Sequence, residues 1–169
     1  QSDIALIGAA QNGERKDLLM LYEFSDLNLK DKFAPVWQRD GRGFALGSGG
    51  AFLVIESKEH AQARGAKPYA KLSNVVADHA LRKTAGSVTA TLDSLWSQLG
   101  PIGADSAIIT GATGAPVTAE ERAFLDKHRD IPVRATGTSF GHVMEAQFPL
   151  GLALAARKLR LHDVAERGA

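Results

Sequence analysis

Gly43 to Glu56 reads GFALGSGGAFLVIE, and Ser57 to Lys71 continues it as SKEHAQARGAKPYAK. Glycines at 47, 49 and 50 lead into Ala51 to Glu56, a β-branched and apolar run that predicts a strand. Ser57 can cap a short helix after it, and Gly65 is placed to end that helix. A glycine loop can cradle phosphate, but the spacing here is not G-x-G-x-x-G and a strand follows instead of a helix. The glycines therefore read as a tight turn and a close backbone approach. Loop, strand and helix in this order are a unit of an α/β fold.

The flanking sequence extends that reading. Upstream, Ile4 to Ala10 (IALIGAA) is short and apolar throughout, as in a buried strand of a parallel sheet. Asn12 to Phe24 has helical spacing through Leu18, Leu19, Leu21 and Tyr22, with Asn12 as the expected cap. Ser25 to Gly43 is mixed and polar and reads as a long surface excursion that Trp37 packs down. Downstream, Tyr69 to Val76 alternates and predicts another strand. Residues 86–99 give the clearest amphipathic helix, with Val88, Leu92, Leu95, Trp96 and Leu99 on one face and Gly100-Pro101 as its stop. Trp96 is thus assigned to the core.

Short strands are expected at Ser106 to Thr110 and at Pro132 to Ala135. Between them, Thr118 and Glu121 have capping-box spacing, and Ala123 and Phe124 give the helix that follows an apolar face. Glu120 and Glu121 are assigned to capping and the helix dipole and not to paired acid chemistry. Phe140 to Leu161 is apolar on nearly every side, which predicts a helix buried on most faces. Pro149 should kink that helix or delay its start. Strands alternating with helices imply an α/β class with a largely parallel or mixed sheet.

The 169 residues, 44% of them apolar, suffice for one compact domain or a piece of a larger one. The net charge of +1 argues against nucleic acid or an anionic membrane as the main partner. The densest basic run, Arg157, Lys158 and Arg160, reads as a solvated helix end. There is no cysteine, hence no disulfide, thiolate metal site or cysteine nucleophile within these residues. The histidines (His60, His79, His128, His142, His162) show no metal-ligand spacing, so neither metal nor cofactor is expected. His60 and His128 are expected to be solvated. No apolar run has membrane-spanning length and no signal peptide is visible, which makes the cytoplasm the default location. The chain opens on Gln1-Ser2, directly before a strand, and further upstream sequence is expected.

Gly141-His142 stands just before the long apolar segment. Helix amides near an imidazole bias it toward the neutral form, which can donate one hydrogen bond to a developing oxyanion. Taken alone, a histidine in that place is more often structural than catalytic.

The motifs carry a resemblance. GRGFALGSGGAFLVIES and HAQARGAKPYAK resemble the phrases RDGFVLGEGAGVLVLEE and HAxxRGAKIYAE of the β-ketoacyl-acyl-carrier-protein synthases. SDIALIGAA is similar to the family's ADVMIAGGV, and GTSFGHVMEA to its K-x-x-x-G-H-x-x-G-A element. Matching is weaker between residues 72 and 107.

The resemblance implies a thiolase-like α/β fold with layered αβαβα architecture. Residues 1–65 would end the N-terminal half, and 66–169 would form the C-terminal half without its last strands. It implies acyl carrier protein as a partner, and a homodimer or a heterodimer with a paralogous synthase. It also implies decarboxylative Claisen condensation of an acyl thioester with malonyl-acyl carrier protein.

Carried over residue by residue, His142 matches the family's second histidine, a neutral hydrogen-bond donor to the malonyl thioester carbonyl. The first histidine belongs to a phrase like NAHGTGTxxGD. The matching stretch, IITGATGAPVT, puts Gly111 in its place. The family's lysine falls on Gly137, and a nucleophilic cysteine, if this chain's protein has one, would fall upstream of residue 1. Glu145 and Phe148 replace small residues. Three readings stay open: a condensing enzyme relying on His142, a catalytically degenerate partner resembling the chain-length factors, and a non-catalytic acyl-binding module.

Overall fold

The computed structural model describes residues 3–30, 32–81 and 84–167, with side chains through residue 159. Gln1, Ser2, Arg82 and Lys83, and the side chains of Arg160, Leu161 and His162, lie outside the described residues.

Strand β1 (Ile4–Gln11) pairs with β2 (Gly49–Glu56) along its whole length, from Ile4 opposite Glu56 to Gln11 opposite Gly49. The pairing is antiparallel, against the parallel strand expected for β1. A continuous apolar run reports apolar surroundings on both faces but not the direction of its partner. Nor is β1 buried within this chain: Leu6, Phe52 and Val54 on this ladder are exposed. Strands β3 (Ile108–Thr110) and β4 (Val133–Ala135) form a second, parallel pair. The α/β class therefore holds, with one antiparallel and one parallel sheet among the described residues.

Helix α1 (Lys16–Phe24) begins later than expected, after Arg15. Asn12 does not cap it. Its Oδ1 accepts from the Glu14 amide at 3.0 Å and closes a local turn instead. Residues 25–43 are a surface excursion only in part: Phe33 is 64% exposed, but other side chains turn inward. Val36 and Arg39 are each 1% exposed, among the most buried side chains described. The stretch buries because Arg39 finds main-chain acceptors, and because the Val36 amide donates to Thr138 Oγ1 at 3.1 Å.

Helix α2 (Lys58–Ala63) is capped by Ser57, whose Oγ accepts from the His60 amide at 3.2 Å, and it ends at Gly65 with φ +67°. His60 is not simply solvated. Its Nδ1 lies 2.7 Å from Glu56 Oε2, while Arg64 donates to the same carboxylate. Arg64 first, then His60, hold the Glu56 carboxyl down at about 2. Tyr69 to Val76 forms no strand. No ladder among the described residues takes it in, and an alternating pattern makes a strand only within a sheet.

Helix α3 (Ser87–Gln98) is present as predicted, and helix α4 (Thr118–Leu125) packs against it. The capping box on α4 does not form. Thr118 Oγ1 accepts from the Gly114 amide at 2.9 Å, and Glu121 turns to the Thr110 hydroxyl. Glu120 does cap a helix, but α3 and not its own. Its carboxylate accepts from the amides of Gly86 at 3.1 Å and Val88 at 2.8 Å. Phe124 is buried, whereas Ala123 is exposed. Trp96 meets Phe124 edge-on at 5.6 Å and stacks on His128 at 4.4 Å, so His128 is half-buried in an aromatic cluster and not solvated.

A short helix α5 (Gly137–Phe140) and a 3-10 turn (Met144–Ala146) precede α6 (Gln147–Arg167). Pro149 falls in the first turn of α6, where its missing amide breaks no helical bond, so it marks the start and does not kink the helix. Leu150 joins Ala51, Val143 and Ala146 in a small core between α6 and β2. The expected burial on most faces is not found within this chain: Phe148 is 65% and Leu159 58% exposed.

Candidate functional site around His142

Gly141 has φ +70°, and a Cβ there would lie 2.9 Å from the Ala45 carbonyl. Glycine is thus required twice over, by conformation and by space. The turn it makes locks His142 to the glycine-rich loop. The His142 amide donates to Ala45 O at 2.8 Å, and the Gly47 amide donates to His142 O at 3.0 Å. This is why the glycine stretch matters: it brings two backbones close enough to bridge Leu46 to His142.

The imidazole packs against Phe44, itself 5% exposed, with ring centroids 4.7 Å apart. Tyr22 braces Phe44 edge-on at 5.0 Å and donates its hydroxyl to Met144 Sδ at 3.0 Å. Met144 is a non-glycine residue at φ +51°, a left-handed conformation that must be held by its surroundings. Burial pushes the His142 imidazole below its ordinary value, and Glu145 opposes this through its charge. His142 Nδ1 is buried with no hydrogen-bond partner. The neutral bias expected from helix amides is present, but its cause is burial against Phe44. His142 lies in the turn between α5 and α6 and not on the first turn of α6.

Gly111 and Gly137 lie on the segments that lead out of the parallel strands β3 and β4. A Cβ on Gly111 would come 3.0 Å from Gln147 Cγ. A Cβ on Gly137 would come 2.5 Å from the Ala112 carbonyl and 3.1 Å from Val36 Cγ2. Neither position accepts a larger side chain without a shift of its neighbours.

Two polar networks support this region. The Arg39 guanidinium donates to the carbonyls of Ala34 at 2.8 Å, Thr113 at 2.7 Å and Gly137 at 3.4 Å. It thereby ties the loop after β3 to the start of α5. In the second network, Thr136 Oγ1 donates to Thr110 O and Gln147 Nε2 donates to Thr136 Oγ1. The Thr110 hydroxyl donates to Glu121, whose carboxyl is pushed up to about 7 by burial. Sequence reasoning singled out His142 and missed Phe44, Arg39 and Gln147. A signal existed for Gln147, a polar residue inside a largely apolar segment. Among the described residues, no group of histidine and acidic side chains is placed to hold a metal ion. No described helix is long and apolar enough to cross a membrane.

No family model matches the chain. A stretch of 41 residues, 24% of the chain, is 49% identical to 3-oxoacyl-[acyl-carrier-protein] synthase 2 of Vibrio cholerae, of which it covers 10%. The structure matches the ishigamide ketosynthase/chain length factor with TM-score 0.67 and 25% identity, over 92% of this chain and 40% of that one. It matches the ketosynthase FabY of P. aeruginosa with TM-score 0.72 and 16% identity, over 92% of this chain and 29% of that one.

The chain matches part of a thiolase-like condensing enzyme. It spans less than half the length of these ketosynthases. Large apolar side chains such as Phe24, Leu6 and Phe148 are 85%, 71% and 65% exposed in this part of the condensing-enzyme fold.

Proposed function

We propose that this chain serves a 3-oxoacyl-[acyl-carrier-protein] synthase-type condensing enzyme, with His142 as the neutral hydrogen-bond donor to the malonyl thioester carbonyl. In this reading an acyl group waits on a cysteine outside these residues. Malonyl-acyl carrier protein loses carbon dioxide, the electron pair left on its α-carbon attacks the acyl thioester carbonyl, and the cysteine thiolate leaves. Negative charge collects on the malonyl thioester oxygen during decarboxylation, and a neutral N–H donor stabilises it. The observation that supports this most is the half-buried, neutral-biased imidazole fixed by Gly141, the glycine loop and Phe44. The reading brings with it acyl carrier protein as partner, a homodimer or a heterodimer with a paralogous synthase, and a cytoplasmic location. It also divides the chain at residues 1–65 and 66–169 between the two halves of the fold.

The test is His142→Ala in the full-length protein. Malonyl-acyl carrier protein decarboxylation should be abolished while acyl transfer to the cysteine stays measurable. Unchanged decarboxylation would overturn the assignment.

A second reading, a catalytically degenerate partner of an active synthase, is favoured by one specific observation. Gly111 and Gly137 stand where the resemblance expects a histidine and a lysine, and a Cβ at either would crowd a neighbour, Gln147 Cγ at 3.0 Å and the Ala112 carbonyl at 2.5 Å. Condensation by the full-length protein alone supports the first reading. Condensation that appears only with a co-expressed paralogue supports the second.

A further inference from the structure

The C-terminal end of α3 and the turn after α4 border an open cavity of about 350 Å3 that shares no lining residue with the His142 site. That is at the small end of ligand-pocket sizes. Trp96, His128 and Asp130 line it. Among the described residues, the indole N–H, the ring nitrogens of His128 and the Asp130 carboxylate have no hydrogen-bond or ion-pair partner. The nitrogens of Trp96 and His128 keep solvent access, because the sealed unpaired atoms are His142 Nδ1 and Gln147 Oε1. Trp96 and His128 stack 4.4 Å apart and Phe124 meets both, which makes the aromatic wall firm. The Ile131 amide donates to His128 O at 3.0 Å and closes the turn that carries Asp130.

The charge of the cavity follows from which ions are already paired. The cations on either side of His128 are taken, Lys127 by Asp93 at 2.5 Å and Arg129 by Asp126 at 3.3 Å. Asp130 remains as the uncompensated charge on the lining. Helix α3 adds to it, since its last turn ends at the lining residue Gly100 and a helix C-terminus carries partial negative charge. A metal ion is a poor occupant, because no group of three histidine or acidic side chains gathers among the described residues.

We infer that this cavity binds a small guanidinium ligand, with Asp130 as its countercharge and the Trp96–His128 pair as its wall. An uncompensated carboxylate beside a helix C-terminus selects a cation. Aromatic walls select the planar, weakly hydrated guanidinium over an ammonium, and its fork of N–H groups matches a carboxylate. This site is separate from condensation chemistry and does not rest on the acyl-thioester reading.

The test titrates full-length protein with ethylguanidinium and with ethylurea, its neutral near-isostere, at constant ionic strength. The readout is the NMR shift of the Trp96 indole N–H, assigned through Trp96→Phe. Ethylguanidinium should saturate that shift at a concentration about tenfold below ethylurea, the worth of one charge-assisted hydrogen bond. Asp130 is exposed, so Asp130→Asn should fold normally, and it should erase the difference between the probes. Asp105→Asn, at an exposed acid outside the lining, should leave the difference intact. Equal midpoints for the two probes in wild type, or a shift that never saturates, would overturn the inference. A preference that survives Asp130→Asn would do so too.

Discussion

Phe44 and His142 meet edge to face, with ring centroids 4.7 Å apart and planes at 67°. One comes from the glycine-rich stretch and the other from the turn before the last helix. Their contact covers part of the half-buried imidazole, and burial is the main reason its proton affinity is depressed.

Opening this wall should restore the ordinary proton affinity. In Phe44→Leu the His142 pKa should rise toward the unperturbed value of about 6.5. An NMR titration of the imidazole protons reads this directly, and an unmoved titration would refute the wall. The sign for stability follows from the same shift. Unfolded chains bind the proton more readily than the fold does, so this stabilising contribution is lost as pH falls below about 6.5. His142→Gln should flatten that acid limb in urea unfolding. Phe44→Ala would add a packing loss of about 3–5 kcal/mol, which makes leucine the cleaner probe.

Glu121 works in the opposite direction. Burial holds its carboxyl at about 7 in the fold, above its ordinary value, so between those two values the folded state binds the extra proton. Its contribution is complete below the unfolded pKa and is lost as pH rises through about 7. The loss at high pH is on the order of 3 kcal/mol, from the shift at about 1.4 kcal/mol per pH unit. Glu121→Gln keeps the shape and an amide that can still pair with Thr110. It should be more stable than wild type at pH 8 and close to it at pH 4, by denaturant midpoints at both values. Equal midpoints at pH 8 would show that Glu121 is solvated.

The fates of Glu121 and Arg39 show what was legible in the sequence and what was not. Local signals worked where one segment decides its own structure. The run Ala51 to Glu56 gave a strand, Ser57 gave a cap, and the apolar stripe through Trp96 gave a helix. They failed where the partner is distant. Thr118 and Glu121 have capping-box spacing, yet Gly114 and Thr110 compete for them and win. Polar residues 25–43 looked solvated because nothing in that stretch reveals that Thr113 and Gly137 will supply acceptors for Arg39. His142 was found through a Gly-His motif. Its neighbour Phe44 is brought in by the fold alone.

Glu120 gives a test of capping between helices. Its carboxylate sits at the N-terminus of α3, where three amides, of Gly86, Val88 and Thr89, point at it. Those amides lower its pKa, so its contribution is present above the ordinary glutamate value and is lost as pH falls through the folded one. Glu120→Ala should fray the first turn of α3 and speed amide exchange at Val88 and Thr89. The difference from wild type should shrink in acid. Unchanged exchange at those amides would show that water caps α3 equally well.

Arg39 is a buried cation whose hydrogen-bond partners, among the described residues, are carbonyls and not carboxylates. Burial lowers its pKa, but not far enough for a guanidinium to give up its proton. Its role in the fold is geometric, since one planar fork reaches Ala34, Thr113 and Gly137, three separate segments around the candidate site. Gly114 is part of the same arrangement, because a Cβ there would lie 2.9 Å from Arg39 Cβ. Arg39→Met fills similar volume but orphans the carbonyls, and should cost about 3 kcal/mol or more. Arg39→Lys keeps the charge yet cannot span three acceptors, so it should recover little of that loss. Denaturant unfolding of the two variants beside wild type separates the possibilities. Full recovery by lysine would mean that charge, and not the fork, is what this position needs.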